Sequence, residues 1–152
     1  MKFFDAPAPN PMAVRLFVLE RGGLSFNVET IDIMSLQNRR LIYRAINPRG
    51  EVPALQLDNG TILTEITAIY EYFDEIAVGG TSLFGTTPEQ RAETRMWLRR
   101  MDLYGLMKMM TMQVCDWMLL PGRENFLAYW KRLEERDASQ KALQGFPARV
   151  AV

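Results

Sequence analysis

Residues 47–65, NPRGEVPALQLDNGTILTE, carry the clearest structural signal in this sequence. This stretch contains two runs rich in β-forming residues, 52–57 and 61–64, on either side of Asn59-Gly60. Asn-Gly between two such runs is the strongest short-range signal for a β-hairpin, because both residues tolerate the positive φ of a tight turn. The stretch therefore predicts a turn at its start, followed by two antiparallel strands.

The segments on both sides of the hairpin alternate between strand and helix. After the hairpin, Glu65 opens an apolar helical pattern that extends to Ile76. Near the start of the chain, Asn10 suits a helix N-cap and Pro11 suits the first helical position. The other predicted elements are a strand at 2–5, the helix that Asn10 opens and Gly22-Gly23 ends, a strand at 26–33 and a helix at 36–46. The order β-α-β-α-β-β-α predicts an α/β domain over residues 1–78.

The residues after this domain predict helices. A linker is expected at 79–87, and the sequence from Thr87 to Gln90 fits a capping box with proline at the first helical position. The helix that it opens extends to about Leu119, and a second helix covers about 123–138. We therefore expect a helical domain over residues 88–152, in which the final segment, GFPARVAV, is uninformative.

The composition excludes several classes of function. Lys plus Arg and Asp plus Glu number 18 each, so no net positive charge predicts binding to nucleic acid or to an anionic membrane surface. There is no histidine, which excludes a Ser-His-Asp triad and the commonest metal ligand, and we expect no metal site. The single cysteine, Cys115, excludes an internal disulfide and a Cys-x-x-Cys redox pair. No signal peptide or run of about 20 apolar residues is found, so the expected location is the cytoplasm.

Three stretches of the sequence resemble one known family. Residues 47–65 resemble the central motif of the cytosolic glutathione transferases, Asn-Pro-x-Gly-x-Val-Pro-x-Leu followed by a hairpin and a helix-opening Glu. The start, MKFFDAPAPNPMAVRLFVLERG, looks like the first strand and helix of that family, and residues 87–104 are similar to the first helix of its C-terminal domain. The resemblance implies a thioredoxin-like N-terminal domain that binds glutathione, an all-helical C-terminal domain that is shorter here than is usual, and a homodimer.

The resemblance also implies which residues contact glutathione. In the family the bond that corresponds to Val52–Pro53 is cis, and the backbone of the residue before the proline pairs with the extended tripeptide. Glu65 would bind the γ-glutamyl amine, and the adjacent helix N–H groups would bind the α-carboxylate. Ile66 stands where the family usually has Ser, so one hydroxyl contact is lost while the backbone N–H remains, and Thr67 is the candidate to replace that hydroxyl. The alternative for Glu65 is a carboxylate that only complements the helix dipole.

Two positions of the implied site are less defined. The glycyl carboxylate needs a donor from the second helix region, where Asn38, Arg39 and Arg40 are candidates and a solvated face is the alternative. Family members stabilise the glutathione thiolate with a Tyr, Ser or Cys after the first strand, and none lies between Phe4 and Val14 here. Asn10 is closest to that position, and its amide is a hydrogen-bond donor, although a role as helix cap alone is the alternative.

The sequence thus leaves two functions open. One is transfer of the glutathione thiol to a small apolar electrophile, with Asn10 as the candidate catalytic residue. The other is a non-catalytic binding or regulatory protein of the same fold.

Overall fold

The computed structural model describes residues 1–100, 128, 131–132, 135–146 and 148–151. These residues fall into two compact units. One unit comprises Met1–Leu83 together with Lys141–Val152, and the other comprises Phe84–Gln140. No helix in the described ranges is both long enough and apolar enough to cross a membrane.

The elements follow the predicted order through the first 76 residues. They are β1 (Lys2–Asp5), α1 (Pro9–Arg21), β2 (Ser25–Thr30), a 3₁₀ turn (Gln37–Arg39), α2 (Leu41–Arg44), β3 (Ala54–Gln56), β4 (Ile62–Leu63) and α3 (Ile66–Ile76). They are followed by α4 (Pro88–Arg100), α5 (Asp137–Gln144) and β5 (Arg149–Ala151).

The strands form one mixed sheet in the order β4-β3-β1-β2-β5. The pair β1–β2 is parallel, as its helical crossover through α1 requires, and the other neighbouring pairs are antiparallel. The predicted hairpin is confirmed: the Leu57 N–H donates to the Thr61 carbonyl at 2.8 Å, and Gly60 takes a φ of +85°. This arrangement is the predicted thioredoxin-like α/β fold.

Consecutive residues of β1 fill the core on the two faces of the sheet. Phe3 is fully buried and packs edge-on against Phe26, whose ring stacks on Phe73 of α3 at 4.9 Å. Phe4 points to the opposite face, where it meets Tyr43 of α2 edge-on at 5.7 Å. Burial of each such ring contributes about 1.5–3 kcal/mol to the free energy of unfolding. Because Phe3 and Phe4 lie on opposite faces, β1 packs against helices on both sides of the sheet.

The segment predicted as one helix at 36–46 is instead the 3₁₀ turn followed by the short α2. Arg40, between them, has an extended backbone with φ −76° and ψ 154°. Side-chain hydrogen bonds hold the turn that precedes the 3₁₀ segment: Asp32 Oδ1 accepts the N–H groups of Met34 and Ser35, and Gln37 Oε1 accepts the N–H of Asp32. Such local side-chain bonds offer the backbone an alternative to helical hydrogen bonds.

The C-terminal part differs from the predicted limits of 88–152. The capping box is confirmed, since Thr87 Oγ1 accepts the Gln90 N–H at 3.3 Å and Gln90 Oε1 accepts the Thr87 N–H at 3.3 Å. The continuation of that helix to Leu119 and most of the predicted helix at 123–138 lie outside the described residues. The structure has a turn at 135–136 and then α5, so the second predicted helix does not continue to residue 138.

The final segment forms a strand of the sheet and belongs to the first unit. The strand β5 pairs antiparallel with β2, with Val150 opposite Phe26, and Val150 is buried. Phe146 packs edge-on against Phe3 and Phe26 at 6.3 and 6.0 Å. The edge of β2 offers N–H and C=O groups with which β5 pairs. The strand β5 was not predicted from the sequence, because a strand of three residues is too short to show an alternating hydrophobic pattern.

A buried ion pair joins α1 to α3. Arg21 Nε donates to Asp74 Oδ1 at 2.8 Å, and the two side chains are 6% and 1% exposed. The Asp74 carboxylate also accepts the Ser82 hydroxyl and the Leu83 N–H. Burial raises the pKa of Asp74, but the hydrogen bonds from Ser82, Leu83 and Arg21 outweigh burial, so the pKa of this carboxyl lies below its ordinary value.

We expect Asp74→Asn to lower the free energy of unfolding by about 3 kcal/mol near neutral pH, because it leaves the buried Arg21 guanidinium without a counter-charge. The folded-state pKa of Asp74 is lowered, so its contribution is present above the pKa of the unfolded chain and is lost as pH falls through the folded-state pKa. The difference between wild type and variant, measured by urea denaturation, should therefore shrink below about pH 4. A difference that stays constant on acidification would contradict this assignment.

Candidate ligand-binding site

Three chain segments meet at one end of the sheet. In the β1–β3 pair Phe4 lies opposite Ala54, so the residues just after β1 are level with the residues just before β3. In the β3–β4 pair Leu55 lies opposite Leu63, and continuing this register places Pro53 opposite Glu65. The N-terminus of α1, the Val52–Pro53 segment and the N-terminus of α3 therefore lie at the same end of the sheet.

The Val52–Pro53 peptide bond is cis, as the family resemblance implied. Neither the N–H nor the C=O of Val52 has a hydrogen-bond partner within the part of the chain that the structure describes. Pro53 is buried, whereas Val52 is half-buried. Val52 thus offers a backbone donor and acceptor to an extended peptide, as a strand edge does.

Three side chains hold the carbonyl groups that precede Val52. The Tyr43 hydroxyl and Asn47 Nδ2 both donate to the Glu51 carbonyl at 2.8 Å, and Asn38 Nδ2 donates to the Gly50 carbonyl at 2.7 Å. Burial raises the pKa of Tyr43 to about 12, so its hydroxyl remains a donor at physiological pH. These bonds fix the position of the backbone that leads into the Val52–Pro53 bond.

Gly50 is required by the same packing. Its φ is +65°, and a Cβ atom there would lie 2.8 Å from the Asn38 carbonyl oxygen. Only glycine combines the positive φ with this close approach of two backbones.

Glu65 is the N-cap residue of α3 and has a strained backbone, with φ +66° and ψ 121°. Its side chain does not cap the helix and is exposed. Its carbonyl accepts the N–H of Ala68 at 3.1 Å, while the N–H groups of Ile66 and Thr67 have no acceptor among the described residues. Two free N–H groups at the positive end of a helix attract an anion, and the adjacent carboxylate attracts a cation.

An ion-pair network links this carboxylate to the loop before Val52. Arg49 Nη1 lies 3.4 Å from Glu65 Oε1, and Arg49 Nε lies 3.0 Å from Glu51 Oε2. Sequence reasoning missed Arg49 and Glu51, although the Arg-Gly-Glu sequence directly before Val52 brings both charges next to the predicted site. The network places a charged triad at the end of the sheet where Val52 is free.

The structure separates the three candidates for the glycyl carboxylate. Asn38 is buried, its amide nitrogen is engaged with Gly50, and its Oδ1 has no hydrogen-bond partner within the described chain. An acceptor oxygen does not suit a carboxylate, so Asn38 supports the loop. Arg39 is exposed and donates to the Arg49 carbonyl at 3.2 Å through one nitrogen, so the other side of its guanidinium faces solvent at the same loop. Arg40 is also exposed, and it donates to the Ser35 carbonyl instead.

The expected N-cap role of Asn10 is wrong. Ala8 is the N-cap of α1, Pro9 is the first helical residue, and Asn10 is the second, with an exposed side chain. Pro9 fits the first position as well as Pro11 does, which shifts the start of the helix by two residues. Pro9 and Pro11 have no N–H, and the Met12 N–H is bonded to the Ala8 carbonyl at 3.0 Å. Among the residues that the structure describes, the Asn10 N–H is thus the one backbone donor without a partner in the first turn of α1.

Hydrogen bonds from Arg15 hold the loop between β1 and α1 in place. Its Nη1 donates to Asp5 Oδ1 at 2.5 Å and to the Ala6 carbonyl at 3.2 Å, and its Nε donates to the Ala142 carbonyl at 2.7 Å. Asp5 and Arg15 are both buried. Burial is the largest influence on the Asp5 carboxyl and raises its pKa even though Arg15 opposes the change.

No group of three or more Asp, Glu, His or Cys side chains within the described residues is arranged to hold a metal ion.

The sheet topology defines a thioredoxin-like domain, and comparison with known proteins identifies its family. Residues 9–76 match the family model of the glutathione S-transferase N-terminal domain. Glutathione S-transferase 2 of Saccharomyces cerevisiae is 37% identical over 106 residues, which cover 68% of this chain and 45% of that protein. Residues 9–76 of this chain therefore form a domain of the glutathione S-transferase N-terminal family.

Solved structures show the same similarity. A glutathione S-transferase domain-containing protein from Marinobacter aquaeolei VT8 is 37% identical, with a TM-score of 0.56 over 63% of this chain and 47% of that one. A glutathione transferase homolog from Sulfitobacter with bound glutathione shares the fold at 23% identity, with a TM-score of 0.57 over 94% of this chain and 61% of that one. The chain spans under half the length of the first curated relatives that it matches.

The strain at Glu65 gives a stability prediction. A non-glycine residue at this positive φ costs about 1–3 kcal/mol, and glycine removes that cost while adding about 0.5–1 kcal/mol of unfolded-state entropy. We expect Glu65→Gly to be more stable than Glu65→Ala by about 1 kcal/mol in urea denaturation, since alanine retains the Cβ atom and the strain. Equal stabilities, or a less stable glycine variant, would show that the backbone of Glu65 is not strained.

Proposed function

We propose that this chain binds glutathione at the end of the sheet formed by Val52, Pro53, Glu65 and the first turn of α3. One observation carries the proposal: a carboxylate and two helix N–H groups lie beside Val52, and within the described part of the chain neither those N–H groups nor the backbone donor and acceptor of Val52 have a partner. Glutathione matches this arrangement, because its γ-glutamyl end is a zwitterion and its central residue is an extended peptide unit.

Each polar part of glutathione is assigned a partner of complementary charge or hydrogen-bonding character. Glu65 binds the α-ammonium group, and the N–H groups of Ile66 and Thr67 bind the α-carboxylate. The N–H and C=O of Val52 pair with the cysteinyl residue. Arg39 binds the glycyl carboxylate from the opposite side of the loop, and Asn38 acts by holding that loop. The glutathione bound in the Sulfitobacter homolog supports this choice of ligand.

We further propose that the bound thiol loses its proton to solvent and, as the thiolate, attacks a carbon atom of a small apolar electrophile. A C–S bond forms as the bond from that carbon to a leaving group breaks, and the leaving group departs as an anion. The open N–H of Asn10 lies at the positive end of α1, and a thiol at a helix N-terminus has a lowered pKa. The Asn10 amide adds a second donor for the thiolate. The family supports a homodimer as the working assembly, and the sequence composition supports the cytoplasm, where glutathione sets the redox poise.

A second candidate is a glutathione-binding protein without useful turnover. Asn10 is the only polar residue between Asp5 and Arg15, so the sequence between these two residues has no hydroxyl or thiol side chain. A neutral amide is a weaker partner for a developing thiolate than a charged or strongly polarised donor. Measured turnover with an aromatic electrophile separates the two candidates.

Glu65→Gln tests the binding site. The substitution keeps the size of the side chain and removes the charge, so we expect glutathione affinity to fall by about 1.5–3 kcal/mol, the range for a hydrogen bond to a charged group. Isothermal titration calorimetry measures the change directly. Asp58→Asn, which removes an exposed carboxylate from the hairpin turn at the other end of β3, is the matched control and should bind as wild type does. A wild-type protein that shows no binding at millimolar glutathione would refute the proposed function.

Asn10→Asp tests the thiolate partner. An ionised Asp has no donor and repels a thiolate, so we expect the pKa of bound glutathione thiol to rise, while the helix retains its stability because a carboxylate suits the first turn. Asn10→Ala removes the amide and keeps the backbone N–H, so it should raise the thiol pKa less. Ultraviolet titration of the bound thiol and thermal melting give the two readouts. A thiol pKa that is the same in all three proteins would exclude Asn10 from the site.

A further inference from the structure

The Arg49 guanidinium lies between two carboxylates, those of Glu51 and Glu65, and pairs with both. Its Nε and Nη2 face the Glu51 carboxylate at 3.0 and 3.3 Å, and its Nη1 faces Glu65 Oε1 at 3.4 Å. The guanidinium is planar, so binding Glu51 through two nitrogens fixes the direction in which Nη1 points. Glu51 therefore orients Arg49, and Arg49 contacts Glu65.

Glu65 needs an external partner to hold its side chain in one orientation. The side chain is 65% exposed, makes no cap to its own helix, and has several rotatable bonds that are ordered when a ligand binds. Among the described residues Arg49 is its one ion-pair partner. The Arg39 side chain holds the Arg49 carbonyl at 3.2 Å, so the backbone that carries this guanidinium is itself fixed.

The charges of the network leave Glu65 able to bind a cation. Arg49 brings one positive charge, Glu51 and Glu65 each bring one negative charge, and the triad sums to one negative charge. The Glu51 carboxylate compensates the guanidinium, so Glu65 is oriented by Arg49 without losing its attraction for an ammonium group.

We propose that Arg49, held by Glu51, is a positioning residue that sets the Glu65 carboxylate for the α-ammonium group of the ligand. This inference rests on the proposed function. The network would then favour peptides whose first residue is a γ-linked amino acid with a free ammonium group. Peptides with an uncharged acyl group at that end would bind more weakly.

The test is a cycle of two ligands and four proteins. The ligands are glutathione and the analogue in which a glutaryl group replaces the γ-glutamyl group and the α-amine is absent. The proteins are wild type, Arg49→Ala, Glu65→Gln and the double variant, and calorimetry gives each affinity. Arg49→Ala should weaken glutathione about two- to five-fold, the scale of an exposed ion pair, and should leave the affinity for the analogue unchanged. In the Glu65→Gln background, Arg49→Ala should have no further effect on glutathione.

The controls separate positioning from charge and from folding. Lys2→Gln removes one partly exposed, ion-paired positive charge at the opposite end of the sheet and should leave the affinities for both ligands unaffected. Arg49→Lys keeps the charge without the planar fork and should lose affinity for glutathione as Arg49→Ala does. Equal weakening of both ligands by Arg49→Ala, or full affinity in Arg49→Lys, would overturn the inference and leave the proposed function standing. Absence of glutathione binding by wild type would overturn both.

Discussion

The hydrogen bonds onto the carbonyl groups of Gly50 and Glu51 are the interactions on which the site depends. Asn38, Tyr43 and Asn47 supply three donors to these two acceptors, at 2.7–2.8 Å. Each such bond contributes about 0.5–1.5 kcal/mol, but the loss of a buried donor or acceptor costs more, so the loop has one strongly favoured position. That position leaves the backbone of Val52 open and brings Arg49 to Glu65.

The packing of the first unit fixes the positions of the strands and loops around this site. Phe3 and Phe4 pack on opposite faces of β1, and the β1–β3 pairing then places the start of β3 level with the end of β1. Arg15 ties the loop after β1 to α5 through the Ala142 carbonyl. The C-terminal strand β5 completes the sheet on the β2 side, away from β3 and β4, so the site at Val52 and Glu65 is built without it.

The elements that the sequence predicted correctly are those set by local chemistry. The hairpin at Asn59-Gly60, the capping box at Thr87 and the helix after Glu65 each carry their signal within a few residues. The break at Arg40 was missed because no glycine or proline between residues 36 and 46 marks it in the sequence. The strand β5 was missed because its partner, β2, lies more than a hundred residues earlier in the sequence. Among the site residues, Val52, Pro53 and Glu65 follow from a contiguous motif, whereas the roles of Asn38 and Arg49 depend on contacts that only the folded chain reveals.

In the proposed site, the backbone of Val52 and the first turn of α3 together hold glutathione. An NMR titration of the ¹⁵N-labelled protein with glutathione, followed at individual backbone amides, tests this arrangement. We expect saturable shifts at Val52, Ile66 and Thr67, whose N–H groups lack partners in the described structure, and no shift at Leu57 and Gly60, whose N–H groups are already bonded in the hairpin turn. Saturable binding that shifts other amides and leaves Val52, Ile66 and Thr67 unchanged would contradict it.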